Sequence, residues 1–171
     1  MPPLRPTPPT ADAEDLERLR RELLRLDPWA FWAVELDPRF GAPFGVLGVT
    51  GAFAVAASGL DGYLVAEGRR LLVDGTRVGG FRDVKRAAKR LRGQLIGIGA
   101  ASEDVVPMLC LTRAVAGAPR DHAGVRVVRP EDLVPEITGR DRIVDPSTAE
   151  RLAGRLGRVL TGPVRRPPED P

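Results

Sequence analysis

The run Phe81-Arg-Asp-Val-Lys-Arg-Ala-Ala-Lys-Arg-Leu-Arg92 carries six cations, Arg82, Lys85, Arg86, Lys89, Arg90 and Arg92, against one acid, Asp83. Val84, Ala87, Ala88, Leu91 and Leu95 recur at helical spacing, so Arg82, Lys85, Lys89 and Arg92 share the opposite face, with Arg86 and Arg90 beside it. A row of cations on one side of a helix can meet several phosphates at once, giving salt-sensitive, sequence-indifferent binding of nucleic acid. A merely solvated face has the same composition, and no aromatic residue interleaves with these cations to stack on bases. These six residues are the candidate nucleic-acid contacts.

Other chemistry is sparse. Glu35 and Asp37 follow an aromatic run and, with Glu14 or Glu17 approaching from a preceding helix, would be the acids of a divalent-metal site such as one for Mg²⁺. His122, the one histidine, stands beside Asp121 in a polar stretch without an evident serine or second histidine, and reads as a surface residue. One His and one Cys cannot build a zinc site of ordinary spacing. Cys110 lies within Val105-Val-Pro-Met-Leu-Cys-Leu111 and reads as a small buried hydrophobe. Ser58 has neither a nucleophile elbow nor an evident base and reads as a strand-end residue. Gly97-Ile-Gly99 precedes a strand instead of joining a strand to a helix, which argues against a nucleotide loop.

These side chains need a scaffold, and the chain spells one out. Residues 1 to 9 contain five of the seventeen prolines and read as an extended arm. From Thr10 a helix is expected, with Leu16, Leu19, Leu23 and Leu26 on one face, acids in its first turns, and Glu14–Arg18 and Glu17–Arg21 at i,i+4. Asp27-Pro28 ends it. Trp29 to Leu36 reads as the first strand. Val46 to Val49 and Ala52 to Ala57, around Thr50-Gly51, are continuous apolar runs, the pattern of adjoining strands in a sheet covered on both faces. Tyr63 to Val78, punctuated by Glu67-Gly68 and Asp74-Gly75, predicts an antiparallel meander. The basic helix follows, over Phe81 to Ile96. Then come a strand over Val105 to Leu111, a loop over Thr112 to His122, a strand over Gly124 to Val128, a short helix from Pro130 and a last helix from Asp145 to Leu160, its inner face marked by Leu152, Leu156 and Leu160. Thr161 to Pro171 reads as a loose tail.

The length of 171 residues and 43% hydrophobic content fit one domain, expected over residues 10 to 160. The net charge of +3 is mild. No window approaches the ~18 apolar residues of a membrane span and the N-terminus lacks an apolar leader core, so a soluble, cytoplasmic protein without a membrane partner is expected.

Between about Leu16 and Leu160 the chain resembles the nuclease-related domain found in many bacterial proteins, a relative of the restriction-endonuclease-like fold. The resemblance rests on Val46-Leu-Gly-Val-Thr-Gly-Ala-Phe-Ala-Val55, which looks like that family's central strand pair. It also rests on the meander through Asp74-Gly75, on Val106-Pro-Met-Leu-Cys-Leu111, and on Gly124-Val-Arg-Val-Val128 followed by Leu133. It implies an α/β fold with a central mixed sheet flanked by helices. For catalysis it implies an aspartate just before the first central strand, a glutamate-x-lysine at the end of the second, and a glutamate on the first helix, together holding a divalent metal. Those central positions fall here at Pro43 or Phe44, Ala56 and Ser58, and Val46 to Leu60 contains no Asp, Glu, Lys or Arg.

The expected function is therefore a catalytically inactive nuclease-related-like domain, without cofactor, serving as a structural or partner-binding module for an unidentified protein. One alternative is a non-specific nucleic-acid-binding protein using the basic helix. Another is a metal-dependent nuclease with carboxylates relocated to Glu35 and Asp37, the one reading that calls for Mg²⁺.

Overall fold

A computed structural model describes residues 11–97, 105–113, 115–116 and 120–160; the arm at 1 to 9, the tail at 161 to 171 and most of the 97 to 104 connection lie outside these. Helix α1 (Ala13–Leu23) starts at Asp12, whose carboxylate accepts from the Asp15 N–H while Asp15 accepts from the Asp12 N–H, a reciprocal cap that satisfies two free donors. It stops three residues before Leu26, which stays buried on a following turn. Strand β1 (Phe31–Glu35) is shorter than Trp29 to Leu36, because Pro28 to Ala30 make a turn in which the Trp29 N–H donates to Asp27. Strands β2 (Phe44–Gly48) and β3 (Gly51–Ser58) form the expected hairpin, antiparallel and buried along almost its whole length.

The meander is β4 (Gly62–Glu67), β5 (Arg70–Val73) and β6 (Thr76–Arg77). Asp74 and Gly75 both have positive φ, 47° and 76°, as a tight Asp-Gly turn requires. Helix α2 (Phe81–Gly97) crosses back to β7 (Val105–Leu111), parallel to β3. The expected loop from Thr112 to His122 instead contains two short strands, β8 (Val115–Ala116), parallel to β4, and β9 (Arg120–His122), which makes a hairpin with β10 (Val125–Val128). Helix α3 (Pro130–Thr138) has proline at its start, and α4 (Pro146–Leu156) begins on an Asp145 cap. The final helix does not reach Leu160: from Gly157 the chain is extended, and β11 (Arg158–Val159) pairs with β1. A side-chain carbon on Gly157 would stand 2.5 Å from the Glu35 carbonyl oxygen, so only glycine lets the chain approach β1 so closely.

The result is an α/β fold with a central mixed sheet of seven strands, in the order β11-β1-β2-β3-β7-β10-β9, flanked by four helices, and a smaller sheet ordered β6-β5-β4-β8. Leu19 and Leu23 of α1 and Leu133 and Ile137 of α3 cover one face of the large sheet, against Phe53, Val55, Met108 and Cys110. On the other face, Val84, Ala87 and Ala88 of α2 pack on Ala54, Leu109 and the meander's Leu64 and Leu71, and Ala149 and Leu152 of α4 pack on Trp32, Leu47 and Ala52. Cover on both faces is why β2 and β3 read as unbroken apolar runs. The turn between them is held by Thr50, whose buried hydroxyl donates to the Ile137 carbonyl at 2.6 Å. Among the described residues no helix is long and apolar enough to cross a membrane.

Candidate functional site

The apolar spacing in α2 orients it as expected: Val84, Ala87, Ala88, Leu91 and Leu95 are buried, which fixes the helix against β3 and β7. Arg82, Lys85, Arg86, Lys89, Arg90 and Arg92 are all exposed. Among the described residues none of the six has a carboxylate within 4.0 Å, whereas Arg18, Arg25, Arg39, Arg113, Arg126 and Arg129 do. Among the described residues the helix therefore presents a cationic face whose charge is not spent on internal pairs. Such a face attracts polyanions, at a strength that falls with salt.

The positions that would carry nuclease chemistry lie at the opposite end of the hairpin from its turn. Cross-strand pairing sets Glu35 opposite Phe44 and Phe44 opposite Val55, so the ends of β1 and β3 and the start of β2 adjoin. Phe44 and Val55 face α1, while Ala56 packs on the α2 side, which puts Phe44 and Ala56 on opposite faces of the sheet. An open cleft of about 510 Å³ lies here, between α1 and the β1–β2 connection, with Leu16, Leu36, Ala42 and Phe44 among its apolar lining and Glu17, Arg20 and Glu35 as its charged groups. Glu17 borders the cleft and makes no ion pair with Arg21 among the described residues, although Glu14 meets Arg18 at 3.1 Å as expected. Asp37 is engaged elsewhere. It caps a short 3-10 turn and pairs with Arg39 at 3.0 Å, and its carboxyl is held below the usual range by the hydrogen bonds from Arg39. Among the described residues no three His, Cys, Asp or Glu side chains converge where one ion would reach them all.

Asp15, read from the sequence as a first-turn acid, proves to be a buried carboxylate, 1% exposed. Its Oδ1 accepts from the Thr112 hydroxyl at 2.8 Å and from Arg113 Nε at 3.1 Å. Arg113 also reaches Asp12 at 2.8 Å, and the Thr112 N–H donates to the Ser58 carbonyl at 3.1 Å. Burial pushes the Asp15 carboxyl up, but donors from Arg113, the Asp12 backbone and Thr112 outweigh it and hold it at about 2. Ligands of open α/β sheets commonly sit beyond the carboxyl ends of parallel strands, the position this network fills at β3 and β7. Each Asp15 oxygen already has its donors, so the group is a latch between α1 and the sheet. Gly59 allows it, since a side-chain carbon there would stand 2.2 Å from Asp15 Oδ2. The Asp12-x-x-Asp15 capping spacing was the one local sign of this arrangement.

The remaining singled-out residues are structural. Ser58 is buried and serves through its carbonyl. Cys110 is fully buried, its thiol pushed up to about 12 by burial, with Glu22 and Glu131 adding to the shift. His122 is half-buried, its Nε2 3.1 Å from the Arg69 carbonyl oxygen and its ring 5.1 Å from that of Phe81.

No family model, curated protein or solved structure matches this chain.

Proposed function

We propose that this chain is a non-catalytic relative of the nuclease-related domain that works as a binding module, and that its binding surface is the exposed face of α2, which takes the phosphate backbone of nucleic acid. A cytoplasmic location goes with that reading. One observation carries it: the six exposed cations of α2 have no carboxylate partner among the described residues and stand on a helix fixed by its buried side. The loss of catalysis is supported by the sequence of the central hairpin, where Ala56 and Ser58 occupy the positions that the resemblance gives to a metal-binding acid and a cation.

The test is a titration of labelled nucleic acid at several salt concentrations. Lys85→Glu with Lys89→Glu should weaken binding by a similar factor on every sequence and flatten the plot of log affinity against log salt by about 2, one unit for each phosphate that the protein no longer neutralises. Unchanged affinity would remove the reading. Cleavage of plasmid DNA with Mg²⁺ or Mn²⁺ that is abolished by Glu35→Ala or Asp37→Ala would overturn the non-catalytic part.

A further inference from the structure

The cationic surface does not end with α2. At the start of the helix the Phe81 ring lies 5.1 Å from that of His122, and His122 Nε2 lies 3.1 Å from the Arg69 carbonyl oxygen in the β4–β5 turn. Lys85 Nζ overhangs the β9–β10 turn, 3.7 Å from where a side-chain carbon on Gly124 would stand. The first turns of α2, the β9–β10 turn and the β4–β5 turn are thus one continuous surface, with His122 as the tie between them. Arg69 and Arg70 are exposed there, and among the described residues neither has a carboxylate within 4.0 Å. The acids nearest in sequence to this surface are Glu67, Asp83 and Asp121, and Asp121 is bound to Arg126.

We infer that Arg69 and Arg70 extend the phosphate-binding face of α2, and that its partner is double-helical nucleic acid. The inference rests on the reading given under Proposed function. The cations from Arg82 to Arg92 span about 15 Å along a straight helix, at ~1.5 Å per residue. On that surface the α2 row and the Arg69–Arg70 turn are two cationic elements side by side, which suits two backbones flanking a groove better than one flexible strand. Tight binding of single strands draws on exposed aromatic side chains that stack on bases. The strongly exposed ones are elsewhere: Trp29 (48% exposed) is on the α1–β1 turn, and Tyr63 (60% exposed) is at the end of β4 away from Arg69.

Fluorescence anisotropy with a short mixed-sequence duplex and with each of its single strands, over a series of KCl concentrations, tests this on the full chain. Arg69→Glu with Arg70→Glu should weaken duplex binding on the order of tenfold and lower the salt slope by about 2. Arg69→Gln with Arg70→Gln repeats the measurement should charge reversal disturb folding. His122→Ala, which frees the turn and leaves every Lys and Arg in place, should weaken binding less and leave the slope within about half a unit of the parent. If the Arg69/Arg70 variants bind as the parent does while Lys85→Glu/Lys89→Glu weakens binding, the extension is wrong and the α2 reading stands. If Lys85→Glu/Lys89→Glu also has no effect, the α2 reading falls as well. Single strands bound as tightly as the duplex would overturn the assignment of a double helix.

Discussion

Asp15 on α1 and Thr112 just beyond β7 are 97 residues apart in sequence, yet the Thr112 hydroxyl donates to Asp15 Oδ1 at 2.8 Å inside the protein. Arg113 clamps the same carboxylate, and the Ser58 carbonyl at the end of β3 receives the Thr112 N–H. One side chain thereby joins the first helix to the two central parallel strands.

The latch makes stability depend on acid. The Asp15 carboxyl is held at about 2 when folded, against an ordinary value of 3.8, so its contribution is complete above pH 3.8 and disappears as the pH falls towards 2. The difference is about 2 kcal/mol. Urea unfolding of the parent and of Asp15→Asn between pH 2 and 6 should show a stability gap that is largest near pH 6 and narrows on acidification. A gap independent of pH would show that folding does not lower the Asp15 pKa.

Gly59→Ala puts a carbon onto Asp15 Oδ2 and should destabilise by about 2 kcal/mol. In an Asp15→Ala background the clash is gone and most of that cost should vanish. A double-mutant cycle by urea unfolding measures the coupling, and strict additivity would mean that the two residues do not meet.

Thr50→Val removes the buried donor to the Ile137 carbonyl and should cost about 1 to 2 kcal/mol, while Thr50→Ser keeps the hydroxyl and should cost less of the hydrogen-bond term. Chemical denaturation of both variants decides it. A Thr50→Val variant as stable as the parent would show that the hydroxyl's bond to the Ile137 carbonyl contributes nothing net.

Two glycines three residues apart should respond with opposite sign. Gly154 lies in α4 with nothing near its added carbon, so Gly154→Ala should stabilise by about 0.5 to 1 kcal/mol. Gly157→Ala drives a carbon to 2.5 Å from the Glu35 carbonyl and should destabilise by about 1 to 3 kcal/mol, with the edge strand β11 displaced. Thermal unfolding should move up for the first and down by several degrees for the second.

Much of this fold was legible because its long elements carry their own periodicity. The leucines of α1, the unbroken apolar runs of β2 and β3 and the Asp74-Gly75 turn each fix a local structure whatever surrounds them, and Val105 to Leu111 reads as a strand despite Pro107. The face of α2 followed directly, since its five buried residues leave the cations nowhere else to go. What escaped was defined by distant partners. β8, β9 and β11 are two or three residues long, too short for any pattern, and exist because β4, β10 and β1 offer open edges. Leu160 sits at helical spacing from Leu152 and Leu156 but is placed by its N–H donating to the Ala33 carbonyl at 2.8 Å. Asp15 looks like any first-turn acid until the chain brings Thr112 and Arg113 to it.

Cys110 lies sealed in the core with its thiol pushed up to about 12, so in the folded protein it stays protonated and out of reach of reagents. A second cysteine placed anywhere on the outside would then be the sole target for a maleimide dye or a nitroxide. The native sequence thus permits single-site spectroscopic tagging of α2 or the β4–β5 turn with no prior removal of its own thiol.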